Sequence, residues 1–266
     1  MSSSPILDNK DPDASSVFEP AALLREARRQ KGLPPADVPA LCVLDPDGDI
    51  ARRLRNSGQA KLSDTWPCYH TELYEFALAD RTAGIIGCAV GAPFAVLVAE
   101  ELFACGCRLL ISVTSAGQIK SVGQPPYFVV IDRALRDEGT SYHYAAPATF
   151  ADADPHLVRS AMRALADDGF HAHVGTSWTT DAPFRETAEA IEAARAQGAL
   201  AVEMEAAALY TFARRQNTAV LCLAHVTNTM GLTDRDFEKG EADGTADALM
   251  ILGALARALL PAMDSK

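Results

Sequence analysis

The sequence predicts an α/β fold: one domain in which a mixed central β-sheet lies between helices, a three-layer α/β/α sandwich. Three observations lead there. Short apolar runs alternate with longer stretches of helical spacing from residue 40 onwards. The short runs are hydrophobic at nearly every position rather than every second one, as expected of strands covered on both faces. A chain of 266 residues that is 48% hydrophobic suffices for one large core, and no repeat or linker divides it.

Residues 1–16, rich in Ser, Asp and Pro, predict a flexible tail, and 17–266 the domain. "EPAALLREARRQKGL" carries Leu23, Leu24 and Ala27 on one side of a helix. "ALCVL" (40–44), "AGIIGCAV" (83–90), "RLLISVT" (108–114), "YFVVI" (127–131), "HAHVGT" (171–176) and "AVLCLAHV" (219–226) predict buried strands. Helices are predicted over 93–106, 155–168, 186–197, 205–216 and 244–260. Pro93 opens the first, where its missing N–H is harmless, and Gly106 closes it. Ligands in such folds sit beyond the carboxyl ends of strands. That singles out "VGAPF" (90–94), "SVTSAGQI" (112–119) and the segment 225–244.

Composition narrows the function. A net charge of -11 argues against a nucleic-acid partner. No run of about 20 apolar residues is present, so no membrane span is expected and the chain is read as cytoplasmic. Six scattered cysteines predict reduced, structural thiols. Gly84, Gly87 and Gly91 do not fit the dinucleotide fingerprint, and there is no G-x-S-x-G or H-E-x-x-H. His171 and His173 read as an edge or solvent-facing strand rather than a metal pair. No metal and no organic cofactor are expected.

The segment "VEMEA" carries chemistry. Two glutamates flank a methionine at the start of a helix that is apolar nearly all round, and buried carboxylates need partners. On a helix Glu203 and Glu205 would point about 200° apart; in extended chain they share a side, with Met204 opposite. Glu203 is equally well a helix-start residue favoured by the dipole. Glu205, beside three alanines, is the better candidate to accept hydrogen bonds from a vicinal diol.

"AVEMEAAALY" resembles the signature of the nucleoside phosphorylase family, which includes purine nucleoside phosphorylases, uridine phosphorylases and adenosylhomocysteine-type nucleosidases. "AVGAPFAVLVAEEL", "SVTSAGQI", "ALRDEGTSYHY" and "GTSWTTDAPFRET" are similar to further family segments in the same order, the last nearest the uridine phosphorylase branch. The resemblance implies a nucleoside phosphorylase-like sandwich over roughly 40–260. It implies that Met204 and Glu205 contact a ribose, with Glu203 beside them, and that Glu205 holds the 2′ hydroxyl. Thr114 and Ser115 would belong to a phosphate or sugar loop. Phe184, Arg185 and Asn228 would border the base. Asn228 stands where purine enzymes of the family carry an aspartate that protonates the leaving base. An amide cannot do that, but it can stabilise a departing pyrimidine anion, so a uridine-like nucleoside is expected. The implied reaction is phosphorolysis to free base and ribose 1-phosphate, with Glu205 and Asn228 catalytic, inorganic phosphate as co-substrate and a homo-oligomer (dimer to hexamer) as the working form.

The chain departs from the family at the anion site. The arginine-bearing loop near the start is "LDPDGDIARRL" here, with Asp45 and Asp49 at the family's glycine and arginine positions. A second arginine position falls on Ser112, and a third, donated between subunits, near Tyr69 and His70. Arg52, Arg53, Arg108 and a protonated His70 are the remaining cations for a phosphate. The rival expectations are therefore a hydrolytic nucleosidase without a phosphate site, or a nucleoside-binding protein that turns nothing over. The charged stretch 234–244 reads as solvated, with Asp234, Asp236 and Glu238 free to meet a polar ligand.

Overall fold

The computed structural model describes residues 4–230, 236–237 and 239–264. In chain order it has α1 (Pro20–Lys31), β1 (Leu41–Asp45), α2 (Asp49–Asn56), β2 (Ala60–Leu62), β3 (Tyr74–Leu78), β4 (Arg81–Gly87) and α3 (Ala92–Ala104). Then come β5 (Leu109–Gln118), β6 (Tyr127–Asp137), β7 (Phe150–Asp152), α4 (Pro155–Asp167) and β8 (Ala172–Thr180). The last are α5 (Ala188–Ala196), β9 (Ala199–Glu203), α6 (Ala206–Gln216), β10 (Ala219–Asn228) and α7 (Thr245–Asp264). Every strand and helix expected from hydrophobic patterning is present. β1 is buried along its length and β10 from Val220 to Asn228, which is why neither alternates.

The strands form one mixed sheet in the order β10-β6-β8-β9-β5-β1-β4-β3-β2, with β7 added to β6. β10 also pairs with β5. The path β5-β10-β6-β8-β9 therefore returns to β5, closing five strands into a ring from which β1, β4, β3 and β2 extend. The ring closes because β5 is long: its first part pairs with β1 and β10, while Gly117 and Gln118 reach β9. Helices cover the sheet in two groups. α1 and α6 pack on α3, and α2 and α4 pack on α7.

Five short elements, β2, β3, β7, β9 and α2, were hidden from pattern reading. β2 and β3 lie at an edge, and β3 turns into β4 through Ala79 (φ 49°) and Asp80 (φ 63°), a left-handed pair without the usual Asn-Gly signal. β9 hides in the alanines before "VEMEA". α2 forms inside "DGDIARRLRN" because the Asp45 carboxylate accepts from Gly48 N–H (3.2 Å) and Ala51 N–H (2.8 Å). Its buried face is Ile50, Ala51 and Leu54. Residues 4–16 contain neither helix nor strand, but the Arg215 guanidinium donates to the Pro12 and Asp13 carbonyls and ties that stretch to α6. All six cysteines are free thiols.

β1, β4, β5 and β10 run parallel, so their carboxyl ends converge. That end gathers Asp45–Asp49, Cys88–Gly91, Thr114–Gly117 and His225–Met230. β9 delivers the "VEMEA" corner beside Gly117.

Candidate functional site

At the turn from β9 into α6 the two glutamates separate by role. Glu203 ends the strand and its carboxylate accepts from Ser177 Oγ (2.9 Å), Thr179 Oγ1, Glu205 N–H (2.7 Å) and Ala206 N–H (2.7 Å). Thr179 Oγ1 in turn accepts from Ala207 N–H (3.0 Å). The open N–H groups of the α6 start are thus satisfied from below, by a strand residue and a threonine. This corrects the expectation that Glu203 binds a sugar: four protein donors use its acceptors, and it caps a helix.

Because Glu203 does the capping, the Glu205 side chain is released from it. Glu205 is 1% exposed. Its Oε1 accepts from Gly91 N–H at 2.7 Å, and its Oε2 is buried with no partner among the described residues. An unmet buried acceptor costs about 1–3 kcal/mol, so a ligand hydroxyl would find an open position there. Gly91 (φ 88°) is left-handed, and a Cβ there would stand 4.0 Å from Met204 Cε. Met204 therefore lies over the same corner.

Burial pushes both carboxyls above the usual range. The Thr179 and Ser177 hydroxyls and two N–H groups oppose this at Glu203. At Glu205 the Glu203 charge adds to burial and raises the group to about 8, with the Gly91 N–H and Thr114 hydroxyl pulling the other way. Four donors favour the charged form of Glu203, whereas burial beside that charge favours the protonated form of Glu205.

On β5, Thr114 is buried and its hydroxyl lies 3.3 Å from the Ser115 carbonyl. Ser115 offers two donors to the open end, and both are taken: its N–H and Oγ donate to the Asp47 carboxylate at 3.0 and 2.9 Å. Sequence reasoning had placed Asp45 and Asp49 there and passed over the residue between them. Asp45 is instead buried under α2, where burial lifts it to about 7. Asp49 pairs with Arg52 (2.6 Å) and Lys239. Lys239 also lies 3.9 Å from Asp47. This lysine, in a stretch read as solvated, was missed as well; only its separation of some 190 residues from the loop hid it.

The other expected cations do not meet Ser115. Arg52 is held by Asp49, and Arg53 donates to Thr245 Oγ1 (3.0 Å). Arg108 precedes β5, at the end away from Ser115. His70 is exposed and lines a different, apolar groove with Leu23, Val96 and Leu97; within one chain it is not part of the β5 loop.

The base-side expectations divide. Asn228 is buried at the end of β10, its Nδ2 donating to Thr227 Oγ1 (3.2 Å) and Ala116 O (3.4 Å) and its Oδ1 accepting from Met230 N–H (3.0 Å). Phe184, 98% exposed, sits with Arg185 on a single 3-10 turn, and both point to solvent. The expectation that they border the base therefore finds two exposed side chains, not a formed pocket, in one chain. Asp236 Oδ1 accepts from Thr229 N–H (2.8 Å) and Oγ1 (2.6 Å), so it has a structural partner. Asp234 and Glu238 lie outside the described residues.

His225, paired in register with Ser115, was not singled out by sequence. It stacks on Phe128 at 4.3 Å, and burial holds it down at about 4, so it is neutral. Its Nε2 has no partner among the described residues. Among those residues no group of three His, Cys, Asp or Glu is arranged to hold a metal ion, and no helix is long and apolar enough to cross a membrane.

The family model described as the phosphorylase superfamily matches residues 41–260. A guanosine phosphorylase of Halorubrum lacusprofundi is 29% identical over 127 residues, 48% of this chain and 53% of that protein. A DeoD-type purine nucleoside phosphorylase of Bacillus cereus is 26% identical over 155 residues, 56% of this chain and 64% of that protein. The matched stretches thus span between half and two thirds of those relatives. In three dimensions the chain is similar to a purine nucleoside phosphorylase from Toxoplasma gondii in complex with immucillin-H, with a TM-score of 0.70, 17% identity and coverage of 83% and 92% of the two chains. It is similar also to a uridine phosphorylase from Vibrio fischeri, with a TM-score of 0.68, 21% identity and coverage of 86% and 93%.

Proposed function

The chain belongs to the phosphorylase superfamily, and from that premise we propose that it cleaves the N-glycosidic bond of a ribonucleoside with inorganic phosphate, giving free base and ribose 1-phosphate. The observation that carries this reading is Glu205: a buried carboxyl fixed on one oxygen by Gly91 N–H and open on the other. Ionised, that open oxygen accepts from a sugar hydroxyl, Glu205 holding the 2′ position with Met204 against the ring. The C1′–N bond breaks with its electron pair leaving on the base. A phosphate oxygen forms the new bond to C1′. Glycosidic cleavage of this kind builds positive charge on the sugar, and a fixed carboxylate beside it stabilises that charge.

A uridine-like base is the favoured substrate in this reading. Asn228 supplies an amide where a proton donor would serve a purine, and an amide can support an anionic pyrimidine through its carbonyl oxygens. The relatives named above include purine and uridine enzymes and weigh on neither side. The proposal extends to a homo-oligomer, in which the exposed Phe184 and Arg185 and the remote His70 would meet a neighbour's pocket.

A second reading is favoured by one observation. Asp47 already holds the donors of Ser115, and a carboxylate there suits water as nucleophile, giving free ribose.

The experiment is base release from uridine, thymidine, inosine and adenosine, with and without phosphate, identifying the sugar product. Ribose 1-phosphate formed only with phosphate, fastest from uridine, is the expected result. Free ribose at equal rates in both buffers establishes the hydrolytic reading. Stabilisation by nucleoside without product would make the chain a binding protein.

A further inference from the structure

Resting on the phosphorolytic reading, we propose that Asp47 is an internal competitor of phosphate: it occupies the N–H and Oγ of Ser115 until the anion displaces it, and Lys239 is the cation that then faces the anion.

The argument starts from donors. A phosphate held at the end of β5 needs N–H and O–H groups and a positive charge. Ser115 presents one of each donor, and Asp47 takes both with separate oxygens, at 3.0 and 2.9 Å, as a bound oxyanion would. The carboxylate is not otherwise required by the fold. Asp45 and Thr245 supply the contacts that hold α2, while Asp47 is a loop residue with about a third of its side chain exposed. It can therefore leave without unfolding anything.

The second part concerns charge. Arg52 is committed to Asp49, Arg53 to Thr245, and His225, the register partner of Ser115, is neutral and buried with an unpartnered Nε2. Lys239 is different. It lies 30% exposed between Asp49, to which it is bonded, and Asp47, 3.9 Å away. It is close enough to take the displaced Asp47 carboxylate and still face an anion on Ser115. In the exchange Ser115 passes from carboxylate to phosphate, and Asp47 keeps Lys239 as its ion-pair partner. No arginine is needed for it, which accounts for a phosphorylase-like chain without the family's arginines.

The measurable consequence is weak phosphate binding that improves when the competitor is removed. Charge-assisted hydrogen bonds of this kind are each worth at least about a factor of ten. The test titrates the full-length protein, in the oligomeric form it adopts, with inorganic phosphate by calorimetry, and measures the phosphate KM with uridine saturating. Asp47→Asn and Asp47→Ala are expected to lower the phosphate Kd and KM about tenfold or more while the uridine KM stays within about twofold; Lys239→Met is expected to raise both phosphate constants about tenfold. Unchanged or weaker phosphate binding in the Asp47 variants overturns the inference, and so does an unchanged phosphate Kd in Lys239→Met. Loss of turnover in Asp47→Ala at saturating phosphate also overturns it, by placing Asp47 in the bond-breaking step. If the unaltered protein forms free ribose at the same rate with and without phosphate, the phosphorolytic reading itself has failed; if it needs phosphate and the variants bind phosphate unchanged, only the competitor has.

Discussion

Two carboxyls two residues apart, Glu203 and Glu205, do opposite jobs because their donors differ. Glu203 has four protein donors, while Glu205 keeps one oxygen without a hydrogen-bond partner among the described residues. The sign of the pH effect follows. Glu205 titrates near 8 in the fold and near the ordinary glutamate value when unfolded. The folded form therefore binds the extra proton, and stability is greatest below the unfolded value and declines as pH rises towards 8. In the proposed reaction activity runs the other way, since the ionised form would accept the sugar hydroxyl, and kcat/KM is expected to rise through about pH 8. Glu205→Gln should abolish turnover, make the decline of stability towards pH 8 shallower, and melt higher than the parent at pH 9. A variant that keeps parental kcat/KM, or melts lower at pH 9, refutes the assignment. Sequence alone made Glu205 legible, since a glutamate before three alanines has few bland explanations. It could not show that Glu203 is satisfied by Ser177 and Thr179, which lie on a strand some 25 residues earlier.

At the scale of elements, long apolar runs were readable and short polar ones were not. β1, β4, β5, β6 and β10 stood out because burial on both faces demands continuous hydrophobicity, whereas residues 171–176, expected to be buried, are exposed or half-buried and β8 is buried only over 177–180. α2 did not, because its start depends on one side chain, Asp45, sitting under its first turn and accepting from Gly48 and Ala51. Removing that acceptor leaves the Ala51 N–H without its partner, while Gly48 N–H keeps the Asp45 backbone carbonyl at 2.9 Å. Asp45→Ala is expected to lower stability by about 1–2 kcal/mol, roughly 2–8 °C in Tm, at pH 5, below the value of about 7 to which burial lifts this carboxyl, with phosphate absent. An unchanged Tm would show that water or the backbone replaces the carboxylate. The same element explains why the anion loop was misjudged. With Asp45 turned under the helix and Asp49 on its outer side, only Asp47 is left to face β5.

For the whole molecule, exposed side chains favour the proposed assembly. Phe184 is exposed and His70 lies in a separate groove, beside Phe18 and Leu97, large apolar side chains that are themselves exposed. Apolar surface gathered in this way marks a contact face. Sedimentation at micromolar concentration is therefore expected to give a multiple of the 28.3 kDa chain, and a single 28.3 kDa species would refute the proposed assembly. The net charge of -11 makes that mass salt-dependent, since screening eases repulsion between like-charged copies.

The ring of strands has a consequence for how this protein fails. β5 is hydrogen-bonded to β1, β9 and β10, and it carries Thr114 and Ser115 at the same time as it closes the ring. A segment so enclosed exposes its amides to exchange only when the surrounding structure opens with it. The end of β5 therefore does not fray by itself. Warming should leave the proposed activity intact until the domain gives way as a unit, so that the loss of function and the loss of fold share one temperature.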